Sequence, residues 1–446
     1  MRRRDFLKCA GAGGLLLSQL GALRAMAQGT NDYKALVCIF LNGGNDGNNT
    51  VVPLDNSAYT QYAKVRGTLA LSKSSLVPLV ESDGNARYGL HSALQKLGPI
   101  WDAGQLSMLF NVGVLQRPMS ASEYRANQAS TGIRGLFSHA DQQQQWQTAV
   151  AGKVSATGWG GRLMDALSAG REEMPGLISV SGASRFGMGA KSEAVVVPAS
   201  GKLELSGNDG SAEAQARMLA WQQLHSVDHA SDLVAAAGQV TGFALQKREL
   251  LNAALAARAP LSTAAFSGLN STLAKQLLAI SRLIEQRHSH DTRRQIFYVS
   301  LGGFDTHAGQ ISTQHSLLSQ LGSSLAALNT AINAMGAGPQ VTVFTHSEFS
   351  RTLRVTTGGG SDHAWGNHHF IMGSAVRSKT LQGTFPELRP GGPDDADTLG
   401  RWVPTTSVDQ YASTLARWFG VAARDVANVL PNLANFSQSS LDFMAG

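Results

Sequence analysis

An α/β architecture on a mostly parallel sheet is what this sequence predicts, and three observations carry it. Residues 35–41 (ALVCIFL), 294–300 (RQIFYVS) and 341–344 (VTVF) are short, β-branched-rich runs without polar alternation, the pattern of strands buried on both faces. Stretches with apolar residues at helical spacing lie between them, as in helix-connected parallel strands. Each run ends in a glycine-containing or polar turn that carries a carboxylate: Asp46, Asp305 and Glu348. In open α/β sheets, ligands bind beyond the carboxyl ends of the strands.

The N-terminus reads as a targeting segment. Arg2-Arg3-Arg4-Asp5-Phe6-Leu7-Lys8 is a twin-arginine signature, residues 10–22 form a short apolar region, and Ala25-Met26-Ala27 is an A-x-A cleavage site before Gln28. The expected division is a leader over 1–27 and a single domain over 28–446, exported by the twin-arginine translocase to the periplasm or beyond. Removing the leader's five basic residues and Asp5 lowers the formal charge from +6 to about +2 (32 basic against 30 acidic side chains). The basic balance therefore belongs to the leader, and nucleic-acid binding loses its compositional support. No apolar run outside the first thirty residues reaches the ~18 of a membrane span, so no transmembrane anchor is expected after cleavage. Cys9 leaves with the leader, and Cys38, inside the first strand, is expected to be a small buried hydrophobe in a chain with no internal disulfide.

Taken in order, the first strand runs into Asn42-Gly43-Gly44-Asn45-Asp46-Gly47-Asn48-Asn49-Thr50, a loop rich in side-chain oxygens that also reads as a string of Asx turns. Residues 91–103 are helical in pattern, kinked or divided at Gly98-Pro99 and stopped at Gly104. Residues 106–112 form a further strand. At Ser138-His139-Ala140-Asp141 a helix starts, with Ser138 at the N-cap and Asp141 at N3; the alternative role for Ser138 is a nucleophile held at a helix N-terminus. Residues 176–205 are β-like and punctuated by Gly and Ser, a small cap or edge excursion. Residues 212–287 are mostly helical, with Leu273, Leu277, Ile280 and Ile284 as the clearest apolar stripe. Residues 314–335 form an amphipathic helix, ended by Gly336-Ala337-Gly338-Pro339 before the 341–344 strand. Residues 409–419 form the last helix, stopped at Gly420.

Asp305 and His307 follow one strand, Glu348 and Arg351 another, and His363 lies a little downstream. Asp, Glu and His without cysteine suit a hard or borderline divalent metal: zinc, manganese or magnesium. His346, His368 and His369 read as structural or surface residues and not as ligands. The sequence has no G-x-x-x-x-G-K-[ST] loop, no H-E-x-x-H, no CxxC and no G-x-S-x-G elbow.

LNGGNDGNNTVVP, YGLHSALQKL, SHADQQQQW, GGFDTHAGQ, THSEFSRT and GSDHAWGNHHF, in this order behind a twin-arginine leader, resemble the bacterial domain-of-unknown-function 1501 family over essentially the whole mature chain. Members are similar to the alkaline phosphatase and sulfatase superfamily. The resemblance implies a three-layer α/β/α sandwich and a metal site in which Asp46, Asp305, His307, Glu348 and His363 are ligands, with one ion rather than two. Ser138 is then a positional choice for the nucleophile, and Arg351 either holds an anion or serves as an ion-pair partner. Phe349 stands where superfamily enzymes carry a histidine beside the acid, and Ala364 replaces a common glycine. The expected function is an exported metal-dependent hydrolase of phosphate or sulfate esters, on a small-molecule or glycan substrate. The alternative is a catalytically degenerate extracytoplasmic binding protein on the same scaffold.

Overall fold

In the computed structural model, which describes residues 33–167, 174–199, 202–204, 207, 210–226 and 232–445, the leader expected over 1–27 lies outside the described residues. The strands are β1 (Lys34–Asn42), β2 (Val51–Pro53), β3 (Val77–Val80), β4 (Ala86–Leu90), β5 (Leu106–Gly113), β6 (Leu177–Ser179), β7 (Val195–Val196), β8 (Arg294–Gly302), β9 (Val341–His346), β10 (Asn367–Met372), β11 (Leu381–Gln382) and β12 (Thr406–Ser407). The main sheet runs β11-β5-β10-β9-β1-β8-β6-β7, with β12 also beside β5. Strand β1 pairs in parallel with both β8 and β9, and β6 pairs in parallel with β8 and β7. Strand β10 runs against both of its neighbours, β9 and β5. Thus the β-like stretch over 176–205 contributes two strands to the edge of the main sheet. A separate antiparallel sheet, β2-β4-β3, follows the first loop.

The larger helices are α1 (Asn56–Arg66), α2 (His139–Thr148), α3 (Trp159–Leu167), α4 (Ala212–Ser226), α5 (Asp232–Ala256), α6 (Thr272–Glu285), α7 (Gln310–Ala334) and α8 (Val408–Phe419). Strand β1 shows why its sequence does not alternate. Ala35, Val37, Ile39 and Leu41 enter one core with Leu277 and Ile280 of α6 and Leu321 and Leu328 of α7. Leu36, Cys38 and Phe40 enter the other with Trp146 of α2, Trp159 of α3 and Leu415 of α8. Successive side chains of a strand point to opposite faces, and here both faces are covered by helices. Burial pushes the Cys38 thiol up, which makes it a packing residue.

Local signals place the helix ends. Ser407 and Gln410 form a reciprocal capping box on α8, and Gly420 ends that helix in the left-handed conformation. Residues 91–103 split as their composition predicts: a 3-10 turn, Ser92–Leu97, and then a short helix, Gly98–Asp102, with Pro99 at its start. Among the described residues no helix is long and apolar enough to cross a membrane.

Candidate metal centre

The pairing β9-β1-β8 sets the carboxyl ends of three parallel strands side by side, with Asn42 opposite Gly302 and Phe40 opposite His346. The loops that follow them pack on one another. Gly43 adopts φ +114°, and a Cβ there would come within 2.4 Å of the Asp305 backbone nitrogen, so only glycine lets the two loops approach this closely. Its N–H donates to Glu348 Oε1 at 2.8 Å.

Above these loops, donor atoms converge. His307 Nε2 lies 3.0 Å from His363 Nε2 and 3.0 Å from Asp305 Oδ1. His363 Nε2 lies 3.3 Å from Asp305 Oδ1. A third imidazole enters from α2: His139 Nε2 is 3.5 Å from Asp305 Oδ1, and His139 Nδ1 is 2.8 Å from Glu348 Oε1. Two compact sets of potential metal ligands result, His139 with Asp305 and His363, and His307 with Asp362 and His363, the ligand atoms of each within 4.8 Å of one another. Asp305 and His307 are about half exposed, whereas Glu348 is buried.

Arg351 holds this cluster from below. It is fully buried, and its guanidinium donates to the Gly43, Gly44 and Ser361 carbonyl oxygens and to Asp305 Oδ1. Burial works to raise the Asp305 carboxyl, but the hydrogen bond and charge of Arg351 outweigh it and hold Asp305 down to about 2. The hydrogen bond that His139 donates to Glu348 pushes His139 above its ordinary value, while burial pulls His363 below it.

Asp46 is placed differently from the expectation. It caps the one-turn helix Gly47–Thr50 through the Asn48 N–H (3.0 Å), and its other oxygen takes Gln310 and the buried Arg66 guanidinium. Its carboxylate is spent on protein donors, and it belongs to neither ligand set. Removing one partner of a buried ion pair leaves an uncompensated charge. Arg66→Ala is therefore expected to lower folding stability by about 3–5 kcal/mol, read by urea unfolding; a loss under 1 kcal/mol would show that the pair is dispensable. Glu348 also lies outside both sets and faces His139, Gln143 Nε2 (3.1 Å) and the Gly43 N–H. Ser138 sits at the N-cap of α2, its hydroxyl accepting the Asp141 N–H at 3.5 Å. It is the next residue, His139, that reaches the cluster.

His139 was missed by sequence reasoning, and Asp362, which follows the glycine turn at 358–360 beside His363, was not among the expected ligands. The signal for His139 was present in SHADQQQQW: His139, Gln143 and Trp146 recur at i, i+4 and i+7, one face of a helix. Phe349 is buried and stacks on His363 at 4.7 Å between ring centroids, with His139 at 4.8 Å.

His363 Nδ1 donates to the Phe137 carbonyl oxygen at 2.8 Å, so its proton is held on Nδ1 and the Nε2 lone pair faces inward. Donor separations of 3.0–3.3 Å match the ~3.3 Å edges of a tetrahedron with ~2.0–2.1 Å metal–ligand bonds. The residues fit a divalent cation.

Fold and site together define a mixed, mostly parallel α/β protein with a histidine–carboxylate cluster at the carboxyl ends of its central strands. The chain belongs to the family described as "Protein of unknown function (DUF1501)", whose model matches residues 33–401. No curated protein matches the sequence. Among solved structures the chain is similar to Ps i-CgsB in complex with k-i-k-neocarrahexaose, at 7% identity and a TM-score of 0.34, over 89% of this chain and 74% of that one. It is also similar to the lipoteichoic acid synthase LtaP from Listeria monocytogenes, at 7% identity and a TM-score of 0.33, with the same coverage. A third is the PsFucS1 sulfatase from Pseudoalteromonas sp., at 10% identity and a TM-score of 0.33, over 96% of this chain and 74% of that one.

Proposed function

We propose that the protein is an exported, metal-dependent hydrolase of phosphate or sulfate esters, with Asp305, His307 and His363 as metal ligands. The observation that carries this is the convergence of one carboxylate oxygen and two imidazole nitrogens at 3.0–3.3 Å on a solvent-reaching ledge. Three protein ligands with a position left for water or substrate is the composition of a catalytic zinc-type site. Imidazole donors favour zinc and its neighbours over magnesium, which prefers oxygen. A metal there would polarise the ester oxygen and lower the pKa of an attacking water or hydroxyl.

The chain's own residues organise the site. Arg351 keeps Asp305 ionised and tied to the first loop. The Phe137 carbonyl sets the His363 tautomer, and Phe349 packs the two imidazoles. Arg351 makes four hydrogen bonds to protein oxygens, with the ion pair to Asp305 among them in place of a bound anion. The binding-protein reading draws on Phe349, which supplies a wall where a ligand would complete a second metal site.

Protein recovered from the periplasm without chelator should begin near Gln28 and carry about one equivalent of metal. It should hydrolyse an aryl phosphate or aryl sulfate, lose that activity to a chelator and regain it with zinc. Metal retained without hydrolysis of either ester class would move the assignment to the binding protein, and an unprocessed cytoplasmic chain would end the export reading.

A further inference from the structure

We infer that His139 is a fourth metal ligand, delivered by helix α2 and oriented by Glu348, which acts as a positioning residue and not as a ligand. This rests on the reading of Asp305, His307 and His363 as a metal centre and deepens it.

The two ring nitrogens of His139 have unequal surroundings. Nδ1 meets Glu348 Oε1 at 2.8 Å. Nε2 is buried and has no hydrogen-bond partner, yet it points to Asp305 Oδ1 at 3.5 Å. A buried polar nitrogen left without a partner is costly; a shared cation would satisfy it. A carboxylate on the remote nitrogen of a metal-bound histidine fixes the tautomer and raises ligand basicity.

Glu348 is built for that orienting role. Its Oε1 receives the Gly43 N–H (2.8 Å) and Gln143 Nε2 (3.1 Å) as well as His139. Ser347 Oγ lies 3.5 Å from Oε2. The carboxylate is therefore pinned from the β1 loop, the β9 end and α2, and its hydrogen bonds hold the helix start against the strand ends. Phe349 fills the neighbouring volume against the His139 ring (4.8 Å) and the His363 ring (4.7 Å). A histidine at 349 is unnecessary because the imidazole arrives from the helix. The metal would see three imidazoles and one carboxylate, His139, His307, His363 and Asp305.

The test is a cobalt(II) titration of the full mature chain, read by visible absorption and by calorimetry, with unfolding curves as the check on folding. His139→Ala and His139→Gln should weaken cobalt affinity at least tenfold and shift the ligand-field bands as one nitrogen is lost. Glu348→Ala should weaken it by about 10–100-fold, while Glu348→Gln, which keeps a carbonyl acceptor for Nδ1–H, should recover most of that loss. Ser138→Ala, one residue away, should leave the spectrum unchanged. Wild-type affinity and an unaltered spectrum in both His139 variants would overturn the inference and leave the three-ligand centre standing. Tight binding lost in Glu348→Gln as fully as in Glu348→Ala would make Glu348 a direct ligand and likewise overturn it. A wild-type chain that binds no cobalt or zinc would remove the metal reading and this inference together.

Discussion

His307→Ala is expected to leave the purified protein with less than a tenth of the wild-type metal. Ligand count is the reason. Asp305, His307 and His363 present three donors within 3.0–3.3 Å of one another, and His307 makes both of the 3.0 Å separations. Taking it away opens the centre on its exposed side, where water replaces a nitrogen. Asp46→Ala is expected to keep its metal, because that carboxylate is already engaged by Arg66, Gln310 and the Asn48 N–H. Asp46→Ala also breaks a buried ion pair, so metal must be measured per mole of folded protein, by elemental analysis after gel filtration. Should His307→Ala hold its metal while Asp46→Ala loses it, the centre must be reassigned to the first loop.

Acidification is expected to destabilise the fold by about 3 kcal/mol between pH 6 and pH 5. Burial pushes His346 and His368 down to about 3, His91 to about 4 and His369 well below its ordinary value. His346 and His369 lie among Trp146, Trp159 and Tyr411, and none of their ring nitrogens has a hydrogen-bond partner. Each folded-state value is below the ~6.5 of an unfolded histidine, so unfolding takes up a proton. Stability is whole above pH 6.5 and falls as pH drops toward the folded values, by about 1 kcal/mol per histidine across this window. Asp409, raised by burial to about 8, works in the opposite sense and offsets about one of the four. Ordinary carboxylates stay ionised from pH 6 to 5, so the slope reports the histidines. Urea unfolding at the two pH values measures it, and His369→Phe should flatten the slope by about one histidine's share. Equal stability at pH 6 and 5 would show that these imidazoles are hydrated or protonated in the fold.

Much of the fold was legible in the chain itself. The runs at 35–41, 294–300 and 341–344 are apolar at every step because both faces of those strands are covered, and that pattern is local. So are the helix signals: Ser138 before α2, Gly420 after α8, and the stripe Leu273, Leu277, Ile280 and Ile284. Periodicity and caps depend on residues within a turn or two of each other, so the sequence determined these elements without help. It also determined that Asp305, His307 and Glu348 follow strand ends. Only the tertiary structure decided which oxygens and nitrogens meet. Strand β10 enters between β9 and β5 by antiparallel pairing, and its partners on β5 lie more than 200 residues away in the chain. Asp46 and Glu348 carry the same chemistry in sequence, yet one is neutralised by Arg66 from α1 and the other bonds His139 from α2. Charge and hydrogen bonding act through space at a few ångströms, whatever the separation along the chain. A carboxylate's partner, and with it the difference between a structural ion pair and a candidate metal ligand, is therefore set when the helices dock.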